Sequence, residues 1–427
     1  MLNSKPEENP FSVPVPLRVG VFYVCRLEPM KTLAQMMYRF AARAIGNSLT
    51  RFSSTRAVYL MGGSAHRIIP ALSDLDFLLF TEINPDVILK LRRVFLLHKK
   101  RYWIPGEIIP LDEKALKFLE TSGCSLSIHI FGRTKKIAGD TINITPTIPP
   151  DPASLFMLLI RFFVKATSSL SGGLRNASLY NIFDCQRHLS KIIALNSGTK
   201  VTSYLSEKDP TSLVQLFCEA YLLLDKRAKN LIREIFPNGV PFEIASYLGD
   251  PTNMPEQRIF RVESTKDVIS DLFQQTLNTQ ARTTSFPLCL SESTAICRLI
   301  GLTLESWSQV LSRLSSLPAE ITIPILTVVA RERAMRRYFQ LPGDIMLNSQ
   351  EAIRSKLNQF CRLGCYLATQ GYFLERESLA ECAEPILPNT TRTLRRTHQG
   401  SSQLSIQDMV ENTILVRNEL EKFIFNL

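Results

Sequence analysis

Apolar residues recur along this chain at two different periods, and the changes from one to the other mark out its elements. Within residues 32–49 they fall at Leu33, Met37, Phe40 and Ala44, the spacing of one helical face, with Arg39 and Arg43 between them. The following hundred residues alternate short apolar runs with longer helical patterns, as an α/β unit does. Residues 58–61 read as a strand ending in Gly62-Gly63-Ser64, and residues 75–80 as a second strand. Asn84 followed by Pro85 is a cap and first-turn pair, which opens a helix running to about Lys100. A third strand is expected at 107–111, with Asp112 capping the helix that continues through Leu119, and a fourth at 125–131. A short strand at 18–25 follows a proline-rich leader.

Three prolines in Thr145-Pro146-Thr147-Ile148-Pro149-Pro150 remove donors and fix the backbone, so the main domain boundary is expected there. Beyond it the pattern is mostly helical, at about 152–169, 176–196, 211–235, 293–315, 350–372 and 405–424. The last of these opens on Ser405 and Asp408 at capping-box spacing. Residues 387–403 are polar and Arg-rich and read as a flexible connector; 236–292 hold candidate strands such as 258–262 with no chemistry attached. The resulting plan is a leader at 1–28, an α/β domain at 29–145, a helical domain at 151–386, the connector, and a C-terminal helix at 404–427.

Composition narrows the class. Apolar residues at 45% and charged residues at 21% are ordinary for a soluble globular chain and exclude a disordered or fibrous one. The nine cysteines include no CxxC pair, so a reducing cytoplasm is the expected compartment; Cys361 and Cys365 share an apolar helical face and read as core thiols. The longest apolar run, 155–164, is interrupted by Arg161 and is too short to span a bilayer, so no membrane partner is expected. A net charge of +11 would attract phosphates, nucleotides or RNA.

Chemistry concentrates between residues 62 and 76. Asp74 and Asp76, two apart on a strand, leave the same face ~7 Å apart along the backbone. Paired carboxylates in an apolar strand call for a cation, and oxygen-only ligands suit Mg²⁺ or Mn²⁺. Just upstream, Gly62-Gly63-Ser64 lets backbone amides approach a phosphate, with the serine hydroxyl as a further donor.

The run Gly62-Gly63-Ser64-x9-Asp74-Leu75-Asp76-Phe77 resembles the signature of the DNA polymerase β-like nucleotidyltransferase superfamily, over about residues 57–131. The resemblance implies an α+β fold, a small mixed-sheet nucleotidyltransferase domain followed by a mainly helical domain. It implies an NTP substrate on Mg²⁺ (or Mn²⁺), held by Asp74, Asp76 and a third carboxylate from the next strand. Glu107, directly after Gly106, is the first candidate for that third group, and Asp112 the second, although Asp112 also suits a helix cap. Gly62, Gly63, Ser64 and His66 would contact the nucleotide. Arg161 or Lys165 would reach its triphosphate from the helical part. The expected reaction moves a nucleoside monophosphate to a hydroxyl of an RNA end, a protein or a small molecule. Two other functions remain open: a degenerate member that binds or regulates without transfer, and a helical nucleic-acid-binding protein. For the latter, the basic residues Lys90, Arg92, Arg93, Lys99, Lys100 and Arg101 supply either a phosphate grip or a solvated outer face.

Overall fold

A computed structural model of the chain describes residues 15–197 and 319–425, apart from 26, 52–53, 67, 69–72, 103–104, 132, 177–178, 370–375 and 399–403. It also describes scattered positions between 216 and 238. The chain opens with α1 (Val15–Val24), α2 (Glu28–Leu49), β1 (Thr55–Met61), the short α3 (Gly63–His66), β2 (Leu75–Thr81) and α4 (Pro85–Tyr102). There follow β3 (Pro105–Leu111), α5 (Glu113–Ser122), α6 (Ser125–Ile130), β4 (Thr134–Gly139), α7 (Pro152–Asn176) and α8 (Leu179–Ser197). The C-terminal helices are α9 (Ala319–Leu347), α10 (Gln350–Ala368), α11 (Arg376–Ala383), α12 (Pro388–His398) and α13 (Ile406–Phe425). Packing divides the chain into a first unit, residues 1–151 with 330–427, and a second, residues 152–329.

The first unit is built on a four-stranded mixed sheet in the order β3-β2-β1-β4. β1 runs antiparallel to β2 and β4, and β2 parallel to β3. β1 and β2 are nearly unbroken apolar runs because they are the central strands, buried on both faces. β4 keeps Lys135 and Lys136 exposed on one edge, where charge discourages further strand pairing. β3 tolerates Pro105 and Pro110 because it is the other edge.

On one sheet face Val58, Leu60, Leu75, Phe77, Leu79 and Ile108 form a core. Ile45 of α2, Phe95 of α4, Ile345 of α9 and Met409 of α13 complete it. Side chains alternate across a strand, so Asp74 and Asp76 turn to the opposite face from Leu75 and Phe77. At Gly343, α9 lies against the backbone of Ile108 in β3, an approach that only a residue without a Cβ permits. The last carbonyls of α9, which have no partner within the helix, are taken by cations from α4. Arg92 donates to Ile345 and, at 3.0 Å, to Asn348, and Lys99 Nζ donates to Leu347 O at 3.2 Å. These two members of the basic cluster are helix-end partners and not a solvated face. The buried Arg417 fixes α13: its guanidinium lies 4.0 Å over the Tyr338 ring and 3.4 Å from Asp112 Oδ2.

Several caps stand where the residue pattern puts them. Val87 N donates to Asn84 Oδ1 at 3.0 Å, Ala115 N to Asp112 Oδ1 at 2.7 Å, and Asp408 N to Ser405 Oγ at 3.1 Å. Cys361 and Cys365 are buried free thiols. Other expectations change. Residues 125–130 form α6 and not a strand, because Leu126 and Ile130, four apart, share a buried helical face. The fourth strand is β4, whose sequence TKKIAG has the weak apolar signal of an edge. The segment expected as a short strand at 18–25 belongs to helix α1 and the turn after it. The expected connector contains α12, buried through Thr390, Thr391 and Leu394 and capped by Glu419, which accepts from Thr390 N at 2.7 Å and Thr390 Oγ at 2.6 Å. The helices from Ala330 onward belong with the sheet, so the expected helical block 151–386 is split between the two units. The helix expected at 211–235 lies largely, and those at 293–315 and the strand at 258–262 wholly, outside the described residues. Among the described residues no helix is long and apolar enough to cross a membrane.

Gly343→Ala pushes a methyl into the Ile108 carbonyl and is expected to destabilise the first unit by roughly 1–3 kcal/mol in urea unfolding. Gly20→Ala, in a helix with open space around it, is expected to be neutral or stabilising by about 0.5 kcal/mol. Equal effects of the two would contradict the close helix–strand approach.

Candidate active site

Asp74 lies one residue before β2 and is exposed, whereas Asp76 is within the strand and half-buried. Their neighbour on β3 is Gly106. A methyl there would lie 2.6 Å from Asp74 Cβ and 2.5 Å from Asp76 Oδ1, so both side chains border the space that a β-carbon would fill. The β2–β3 register shifts between Leu75 and Phe77, leaving Gly106 and Glu107 opposite Asp76 alone. Such a bulge frees a backbone donor. Here Glu107 N donates to Asp76 Oδ1 at 2.8 Å, which fixes the carboxylate.

The glycine turn after β1 adjoins this pair from the other side. Gly62 has a φ of +64°, which disfavours any side chain. A Cβ at that position would meet His129 Nε2 at 3.2 Å and Asp76 Oδ2 at 4.0 Å. Gly63 faces open space. Ser64 is buried, and its hydroxyl donates to Met61 O at 2.8 Å, so it closes the turn at the end of β1. The expected hydroxyl donor to a phosphate is therefore engaged within the turn, and the backbone around Gly63 is the accessible part.

Glu107 occupies a different environment from the aspartates. Its carboxylate accepts from Gln340 Nε2 of α9. Nearby Asp344, also on α9, is half-buried; removal from water pushes its carboxyl up, while Lys356 and Arg337 work in the opposite direction. Asp344 accepts from Lys356 Nζ and Asn348 Nδ2, and Arg337 donates to Gln359 Oε1 at 2.9 Å. The structure thus brings Asp74 and Asp76 together and turns the Glu107 carboxylate to α9. Among the described residues no group of three His, Cys, Asp or Glu side chains is placed to hold a metal ion. Asp112, the second candidate, caps α5 and pairs with Arg417.

Lys99 contributes positive charge near Asp74. Burial, with Lys356 and Arg92 nearby, pushes its ammonium down to about 8, and Asp74 acts against the shift. His66 lies in α3 with its side chain outside the described positions, and Arg161, half-buried, and Lys165, exposed, are on α7 of the second unit. His129, Gln340 and Lys99 carry no local sequence signal that marks them as site residues. The pattern around His129 reads as a strand, and Gln340 lies 233 residues from the carboxylate it binds. Lys99 carried only a place in a basic run.

Two adjacent carboxylates beside a bare glycine fit a hard divalent cation that keeps waters and phosphate oxygens as its other ligands. A cage of three carboxylates does not fit the arrangement of Glu107. No protein-family model, curated protein or solved structure matches the chain.

Gly106→Ala is expected to force Asp74 and Asp76 apart and to lower unfolding free energy by about 1–3 kcal/mol, whereas Gly63→Ala, facing open space, changes little. Urea unfolding of both variants measures the contrast. Lys99 supplies a pH test. Between about 8 and its ordinary 10.5 the unfolded chain holds a proton that the folded chain has released, so its contribution to stability rises with pH across that window. The stability of wild type minus that of Lys99→Met is expected to climb by at most about 3 kcal/mol from pH 8 to 10.5. A flat difference would contradict the burial of a charged ammonium there.

Proposed function

We propose that this chain is a metal-dependent nucleotidyltransferase, transferring a nucleoside monophosphate from an NTP to a hydroxyl acceptor. The observation that carries the reading is the convergence of Asp74 and Asp76 on the bare Cα of Gly106, beside the left-handed turn at Gly62. In this reading Asp74 and Asp76 hold Mg²⁺ or Mn²⁺. A divalent ion there would neutralise triphosphate charge and favour attack at the α-phosphorus.

The chain's own groups supply the rest. Glu107 N keeps Asp76 oriented, the amides around Gly63 receive phosphate oxygens, and Lys99 adds positive charge on the Asp74 side. The acceptor oxygen forms a bond to phosphorus as the bond to pyrophosphate breaks. The acceptor's proton passes to solvent water, since the Glu107 carboxylate is held at α9 by Gln340. The acceptor class follows the same chemistry in each case: an RNA end, a protein or a small-molecule hydroxyl.

A second reading, nucleotide binding without transfer, draws support from one specific feature, the engagement of the Glu107 carboxylate by Gln340. Labelled NTPs incubated with Mg²⁺ and cell RNA or extract separate the two. Transfer is expected with wild type and is expected to fall at least ~100-fold in Asp76→Asn, which keeps an oxygen for Glu107 N. Nucleotide binding that needs Asp76, without label transfer, would favour the second reading. Equal labelling by wild type and Asp76→Asn would overturn the enzymatic one.

A further inference from the structure

Among the described residues, nine of the thirteen large hydrophobic side chains left exposed fall between Val21 and Phe40. On α2 these are Met30, Leu33, Met36, Met37 and Phe40, each between 38% and 66% exposed. The helix buries its other face in the sheet core through Ala41, Ala42, Ile45 and Leu49. An ordinary monomer leaves such residues singly and not in one stripe.

The order of the residues identifies the occupant. Met30, Leu33, Met37 and Phe40 follow 3-4-3 spacing, the narrow seam along which two helices pack. That order is also self-complementary. In an antiparallel pair centred near Gln35, Met30 meets Phe40 and Leu33 meets Met37, twice over, as a two-fold interface requires. At the ends, the exposed Leu27 comes level with the exposed Arg43, whose aliphatic stem can cover it. Val21, Tyr23 and Val24 of the preceding α1 are exposed as well. Together these side chains offer several hundred Å² of apolar surface, of the order of the ~800 Å² per partner in a standard interface. α2 also carries Lys31, Arg39 and Arg43 beside the seam, so an anionic lipid surface is the competing occupant.

We propose that α2 is the seam of an antiparallel homodimer, with a second copy of this chain as the occupant. Light scattering across a concentration series is expected to give twice the mass of one chain. Leu33→Glu and Phe40→Glu are each expected to weaken association roughly a hundredfold, with thermal unfolding of the monomer little changed because both sites are exposed. Leu97→Glu, at an exposed site on α4, leaves the dimer intact. Met36→Cys, close to the two-fold, is expected to cross-link the copies under oxidation in a chain whose exposed Cys382 is replaced by Ser, and to do so more than that chain alone. A monomer up to ~100 μM, a dimer indifferent to both glutamates, or a monomer that sediments with phosphatidylglycerol vesicles through the same residues would each overturn the proposal.

Discussion

Everything at the candidate site depends on the missing side chain of Gly106. Two carboxylates on one strand face repel each other, and a neighbouring strand normally fills the space between them with a β-carbon. Here the space is open, and the bulge that places Gly106 there also frees Glu107 N to hold Asp76. Asp76 thus has two roles that are hard to separate. It satisfies a backbone donor that the bulge would otherwise strand, and it presents its second oxygen toward the Gly62 turn. The same bulge carries the Glu107 side chain to α9, where Gln340 receives it. One irregularity in one strand pair therefore creates the carboxylate pair and withholds the third acid.

The rim of the site is assembled from distant sequence. After residues 152–329 the chain returns as α9, and the cations of α4 receive its last carbonyls. That contact explains why a helix with so many Lys and Arg residues packs on a sheet core. Arg92 and Lys99 neutralise the negative end of α9, and Lys99 also feels the charge of Asp74 beside β2. Asp344 and Lys356 continue the network behind Glu107. A partly buried ensemble of this kind holds its geometry while each charge keeps its partner, since removing one leaves another without compensation.

Local signals in the sequence carried the elements whose reasons are local. Asn84, Asp112 and Ser405 cap helices because each offers an oxygen to amides within three residues, and β1 and β2 are legible because two buried faces demand continuous apolar runs. The pair Asp74 and Asp76 was legible for the same reason: two charges break such a run. What failed was tertiary in origin. The alternation in 125–130 fits a strand or a short helix equally, and packing of Leu126 and Ile130 decides it. β4 and α12 have too few apolar residues to announce themselves; pairing with β1 and capping by Glu419 stabilise them. The partner of Glu107 could not be read at all, because no periodicity links residue 107 to residue 340.

The central claim, that Asp74 and Asp76 form one binding site for a divalent cation with a nucleotide, is tested most directly by Mn²⁺ electron paramagnetic resonance. In the presence of an NTP, wild-type protein should immobilise Mn²⁺ at a site that is lost in the doubly neutralised chain carrying Asp74→Asn and Asp76→Asn, with its fold retained. Undiminished Mn²⁺–nucleotide binding by that chain would contradict the account.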